Sequence, residues 1–180
     1  MDKAIEETIT EKEIGMILAD PYAHAVSLHI ENIEKPSNSI ETKNEYIDGL
    51  EAMLIHSSVS TAPSILAKMK DLVKLIHVPG VEANMCVLLG HMTQNVIVIS
   101  QELVKCHIFS ECLALSRTRP TALPKIAFLL TILDNTLPNF KELLIKANED
   151  PLKIRDFLSA ETVIDSKTEA RLTALCAKLE

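Results

Sequence analysis

Residues 71–105 and 111–145 align with each other, without a gap, at a spacing of 40 residues. The alignment brings Leu75 onto Leu115, Leu89 onto Leu129, Asn95 onto Asn135, Glu102 onto Glu142 and Leu103 onto Leu143. Around these identities apolar residues meet apolar residues, as in Val73 with Leu113, Cys86 with Ile126, Leu88 with Phe128, Met92 with Ile132 and Val104 with Leu144. A period of this length carried on helical pattern is a strong constraint. One unit is too small to bury its own apolar face, so the units must stack on one another.

The expected fold is all-α: a right-handed α-solenoid of about three armadillo-like repeats with helical caps. Residues 1–34 form the N-terminal cap, 43–158 the repeats and 159–180 a C-terminal capping helix, within a single domain overall. Proteins of this shape bind other macromolecules along an extended face.

Composition agrees. Apolar residues make up 47% of the 180-residue chain, enough for a substantial core, yet aromatics are only 3% and Trp is absent. That balance suits stacked helices packed with Leu, Ile, Val, Ala and Met. The formal charge of −7 argues against nucleic acid and anionic membrane surfaces as partners. Residues 1–13 carry five acidic side chains and no apolar core of a signal peptide. No apolar run approaches the length of a bilayer span. Cys86, Cys106, Cys112 and Cys176 lack disulfide or zinc spacing, which points to reduced thiols in a cytoplasmic protein.

Proline and turn residues divide the chain. A break is expected near Asp20–Pro21 and a loop over 34–38. Residues 43–56 read as a helix with Thr42 as N-cap and Glu45 completing a capping box. A polar break over 57–62 follows, then a short helix from Pro63. Helices are expected over 70–77, 81–94, 99–107, 108–116, 123–135, 138–146, 151–158 and 166–179. Short, short, long is the order of the three-helix armadillo unit, whose third helix lines the concave side.

Sliding the long helices by 40 gives candidate face positions: Glu45, Met85 and Lys125; Asp48, Leu88 and Phe128; Ala52, Met92 and Ile132; Ile55, Asn95 and Asn135. Within each helix these lie at i, i+3, i+7 and i+10, on one stripe. The same pattern fits a buried stripe, and the repeat alone does not say which side is concave.

The segment 89–105 (Leu-Gly-His-Met-Thr-Gln-Asn-Val-Ile-Val-Ile-Ser-Gln-Glu-Leu-Val-Lys) resembles the armadillo-type nucleotide-exchange factors of heat-shock protein 70, the family of the heat-shock-protein-70-binding protein. The matching residues are Gly90, Gln94, Asn95 and Gln101. Downstream, Lys125-Ile-Ala-Phe-Leu-Leu-Thr is similar to the family's Lys-Ala-Leu-aromatic helix, and upstream Leu50-Glu-Ala-Met-Leu lies where the family has Leu-Glu-x-Leu. The chain departs from the pattern at Ser58-Val59-Ser60, where the family has Asp-Asn-Ala. The resemblance implies a monomeric co-chaperone that clasps the nucleotide-binding domain of heat-shock protein 70 and speeds ADP release. The contacts expected for such a partner are taken from the stripe that the 40-residue register defines: Glu45, Asp48, Met85, Leu88, Met92, Asn95, Lys125, Phe128, Ile132 and Asn135. Read without the family, Asn95 and Asn135 sit at helix ends, where Asn adopts the left-handed conformation and closes the terminus.

Enzymatic signals are missing. Only four Gly occur and none builds a phosphate loop. Cys106, His107 and Cys112 do not have zinc spacing, and no paired carboxylates stand out. Neither cofactor nor metal is expected. Two rivals remain beside the exchange factor: a generic armadillo or HEAT-type adaptor for a peptide or protein, and a helical subunit fixed in a larger complex.

Overall fold

The computed structural model describes residues 21–158 and 164–180. Every regular element among them is helical: α1 (Pro21–Glu34), α2 (Ile40–Ala67), α3 (Met69–Lys74), α4 (Glu82–Asn95), α5 (Ile97–Lys105), α6 (Ile108–Thr118), α7 (Leu123–Thr136), α8 (Phe140–Lys146), α9 (Arg155–Leu158) and α10 (Ser166–Leu179). Short 3-10 turns at Leu75–His77, Pro120–Ala122 and Pro151–Ile154 connect them. Residues 1–20 of the expected N-terminal cap, and 159–163 ahead of the C-terminal helix, lie outside the described residues.

The start of α2 corrects the expected cap. Ser39, in extended conformation, accepts the Thr42 backbone N–H on its hydroxyl at 3.2 Å. Ser39 is therefore the N-cap, and Thr42 sits inside the first turn, three residues past the cap it was expected to be. The polar stretch 57–62 does not interrupt the helix either. α2 continues through Pro63 to Ala67, but it is not straight. The Thr61 hydroxyl donates to the Met53 carbonyl at 3.4 Å. Residues eight apart in a straight helix are separated by about 12 Å along the axis, so the chain bends between them. Pro63 supplies a reason, since it lacks an N–H and crowds the carbonyl four residues back. The expected break is a bend.

Elsewhere the punctuation follows local chemistry. Gly80, at φ 89°, turns the chain after Pro79, and a Cβ there would lie 2.6 Å from the Ile40 side chain. Its N–H is held by the Glu82 carboxylate at 2.8 Å. Val96, a single extended residue, separates α4 from α5. Among the described residues the left-handed positions outside glycine are His107, at the α5–α6 junction, and Asn148, after α8. Asn95 and Asn135 are both helical, so neither closes its helix in the manner expected. Asp165 caps α10, accepting the Lys167 and Thr168 N–H groups at 3.0 Å.

The long helices form one layer in chain order: α1 packs on α2, α2 on α4, α4 on α7 and α7 on α10. The shorter α3, α5 and α6 pack behind them, α5 against α2 and α4 and α6 against α7. Between the layers lies one continuous core. In it Met85, Leu88 and Met92 of α4, Ile126, Leu129 and Leu133 of α7, and Phe109 and Cys112 of α6 are almost fully buried. Burial pushes the Cys86 thiol up to about 12 and holds Cys112 well above its ordinary range. These are packing thiols rather than nucleophiles.

Candidate functional site

The solvent side of the long-helix layer is where side chains from successive helices meet. On α2, Glu45, Asp48, Ala52 and Ile55 are exposed, Ile55 to 64%. On α7, Lys125 and Asn135 are exposed while Phe128 and Ile132 are half-buried. Those expected positions do lie on an outward stripe. The middle helix differs. Met85, Leu88 and Met92 have 0%, 1% and 0% of their surface exposed, so they are core residues and are not offered to a partner. The side chain of Asn95 lies outside the described residues.

A change of register explains the correction. The outward stripe of α4 is Asn84, Val87, His91 and Gln94. Each of these follows its α2 counterpart by 39 residues, from Glu45 to Asn84 and Asp48 to Val87. Each α7 position follows its α4 counterpart by 41, from Asn84 to Lys125 and Val87 to Phe128. A uniform offset of 40 fits both outer helices and misses the central one by a single residue. One residue turns a helical side chain by about 100°, here from solvent into the core.

Four residues cross this face from helix to helix. Glu51 of α2 hydrogen-bonds the His91 Nδ1 of α4 at 2.5 Å. The His91 ring stands edge-on to Phe128 of α7, centroids 5.8 Å apart and planes at 87°. The Arg171 guanidinium of α10 lies over the Phe128 ring, 5.7 Å from its centroid. Asn84 donates to Asn44 at 2.9 Å, two helical turns before the Glu51–His91 bond, and Lys178 of α10 pairs with Asp134 of α7. Gly90 makes room for the ring, since a Cβ there would sit 2.7 Å from the Phe128 Cε1. Edge-on and cation–π geometries of this kind orient an aromatic ring as well as burying it.

Charge is segregated along the face. Glu41, Glu45 and Asp48 are exposed on α2, at one side. Lys125, Lys167 and Arg171 gather at the other, where they line an open groove of about 360 Å³ together with His91, Phe128 and Asp165. Asp165 is the acidic member of that lining, and its carboxylate is engaged with the start of α10. Its hydrogen bonds to the Thr168 hydroxyl, at 2.6 Å, and to the Thr168 and Lys167 N–H groups hold its pKa below the ordinary value. A second groove of the same volume continues along α7 and α10 past Thr131 and Asn135, sharing Lys167 and Arg171 with the first.

Glu51, His91, Lys167 and Arg171 are members of the face that the 40-residue register does not pick out, as is the buried Gly90 that seats the Phe128 ring. A signal for one of them is present in the sequence, because Asn84, His91 and Gln94 are polar residues that interrupt an otherwise largely apolar α4. Nothing local marks Arg171, whose place depends on how α10 packs on α7.

Among the described residues no group of three or more His, Cys, Asp or Glu side chains converges to hold a metal ion. His107 and Ser110 both bond the buried Glu149 instead, tying the start of α6 to the segment after α8. Among the described residues no helix is long and apolar enough to cross a membrane. Set against known proteins, the chain matches no family model, no curated protein and no solved structure.

Proposed function

We propose that this chain is a short armadillo-like α-solenoid that binds a protein partner along the outward face of α2, α4, α7 and α10, without chemistry of its own. The observation that carries the reading is the Glu51–His91–Phe128–Arg171 series. It holds one surface in register across four successive helices while leaving charged groups of opposite sign at its two sides. A face preorganised in this way loses little conformational freedom when a partner docks.

The partner suggested by the Gly90, Gln94, Asn95 and Gln101 resemblance is the nucleotide-binding domain of heat-shock protein 70, with ADP release as the outcome. Such an activity requires only that the open form of the chaperone bind more tightly than the closed form. Burial of Leu88 and Met92 removes two expected apolar anchors, leaving Phe128 as the aromatic contact and charge as the main source of specificity. The same burial favours a second reading, an adaptor for an extended protein segment, because the remaining face is mostly polar.

Stopped-flow release of fluorescent ADP from heat-shock protein 70, run alongside calorimetric binding, separates the two. Acceleration at micromolar protein that is lost in Asp48→Lys and Phe128→Asp supports the exchange factor. Absence of both acceleration and binding overturns it and leaves the adaptor. Circular dichroism accompanies each variant, so that loss of fold is not mistaken for loss of contact.

A further inference from the structure

We propose that the α7–α10 side of this face is the seat for an acidic, carboxylate-rich peptide segment of the partner, with Arg171 as its central contact. The inference rests on the reading of the face as a protein-binding surface and gives the chemistry of what that surface takes.

Lys125, Lys167 and Arg171 converge from two helices on one groove, in a protein whose overall charge is −7. Among the described residues no carboxylate pairs with any of the three. Of the acidic groups nearby, three are engaged elsewhere: Asp165 on the first turn of α10, Asp134 on Lys178 and Glu51 on His91. Glu169 stands two positions from both Lys167 and Arg171, on a different side of α10, and lines neither groove. Arg171 is held by the Phe128 ring rather than by an anion. Its planar fork stays available for the bidentate pairing that guanidinium makes with carboxylates.

The shape selects a segment rather than a small anion. The grooves on either side of Arg171 are open, each is about 360 Å³, and both include Lys167 and Arg171. A chain laid along α7 and α10 therefore passes over the same two cations from His91 and Pro124 at one end to Asn135 at the other. The exposed Glu45 and Asp48 on α2 repel a uniformly anionic polymer, which makes nucleic acid a poor occupant. They fit a partner whose acidic segment is followed by neutral or basic surface.

Fluorescence anisotropy with three fluorescein-labelled peptides of about 12 residues, long enough to span both grooves when extended, tests the assignment. One is rich in Glu with a single Phe, one has Lys in place of Glu, and one has phosphoserine in place of Glu. The Glu peptide should bind best and should weaken as salt is raised. Lys125→Glu and Lys167→Glu alter exposed side chains with no described ion pair and should keep the fold. Each removal of attraction is worth about two- to fivefold in affinity and charge reversal more. Arg171→Lys keeps the charge but loses the planar fork, and should bind more weakly than the parent. Equal binding of Glu and Lys peptides, indifference to both charge reversals, or binding of the phosphoserine peptide alone would each overturn the proposal. The ADP-release assay on the same variants distinguishes the two readings. Chaperone binding that survives without any Glu-peptide binding removes only the acidic-segment assignment. Glu-peptide binding without a chaperone response removes only the exchange-factor reading.

Discussion

Gly90→Ala is the most revealing single-methyl change, because two effects of similar size oppose each other there. Gly in the interior of α4 lowers helix stability by about 1 kcal/mol relative to Ala, so in isolation the substitution stabilises. The added Cβ, however, would stand 2.7 Å from the Phe128 Cε1 and 3.3 Å from its Cδ1. Carbon atoms rest at about 3.5–4.0 Å, so the ring has to withdraw by roughly 1 Å. That retreat weakens the edge-on contact with His91, worth about 0.5–1.5 kcal/mol, and the Arg171 contact, worth about 0.5–1 kcal/mol at an exposed site. The expected balance is a variant between neutral and about 1 kcal/mol less stable than the parent. With Phe128 already truncated to Ala the ring is gone, and Gly90→Ala should then stabilise by the full helical gain of about 1 kcal/mol. A double-mutant cycle in urea, followed by circular dichroism, reads the difference as a coupling of about 1–2 kcal/mol. Equal effects of Gly90→Ala in the two backgrounds would refute the idea that this glycine exists to seat the ring. The Glu-peptide affinity of Gly90→Ala should fall with it, since Arg171 is placed by that ring.

Three further outcomes follow from the fold. Leu88→Ala should destabilise by about 2–5 kcal/mol, and Leu88→Asp should lose the cooperative transition, because the side chain is 1% exposed; native-like melting of Leu88→Asp would return it to the surface. Ser39→Ala should lower stability by about 1 kcal/mol and Thr42→Ala by clearly less, the reverse of what a Thr42 cap requires, as measured by urea unfolding. Asp165 has its folded pKa depressed, chiefly by the Thr168 hydroxyl, so its stabilising effect is fully present above the ordinary Asp value of about 3.9 and is lost as pH falls through the lower folded value. Melting temperatures of the parent and Asp165→Asn should therefore converge on acidification from about pH 7 to well below the ordinary Asp value, and a constant difference would remove Asp165 from the linkage.

How much of this is legible in the chain depends on how far each feature reaches. Helix positions are readable because their causes are local: Pro21, Pro79–Gly80 and Pro124 punctuate the pattern, and α10 runs over 166–179 as its periodicity predicts. The Thr42 cap fails on a local competition, since Ser39 lies three residues earlier and reaches the Thr42 N–H itself. The break at 57–62 fails because propensity alone does not show that Thr61, Ala62, Ser64 and Ile65 are buried along a helix that runs on through Pro63. The face fails for a different reason. The repeat is an average, and the outward stripes advance by 39 and then 41 residues, so a mean of 40 is right at Asp48 and Phe128 and wrong between them at Leu88. Which side of α4 faces solvent is set by α2 and α7 packing on both of its flanks with α5 behind, and that is a property of the stack rather than of the helix. The polar residues of α4 record the result, because a side chain such as His91 can stand among Val87, Leu88 and Met92 at little cost only where water or Glu51 receives it. On α4, then, the large polar side chains Asn84, His91 and Gln94 are a better guide to the open face than the period that relates one helix to the next, whereas the small hydroxyl of Thr93 is buried because it donates to the Gly90 carbonyl of its own helix.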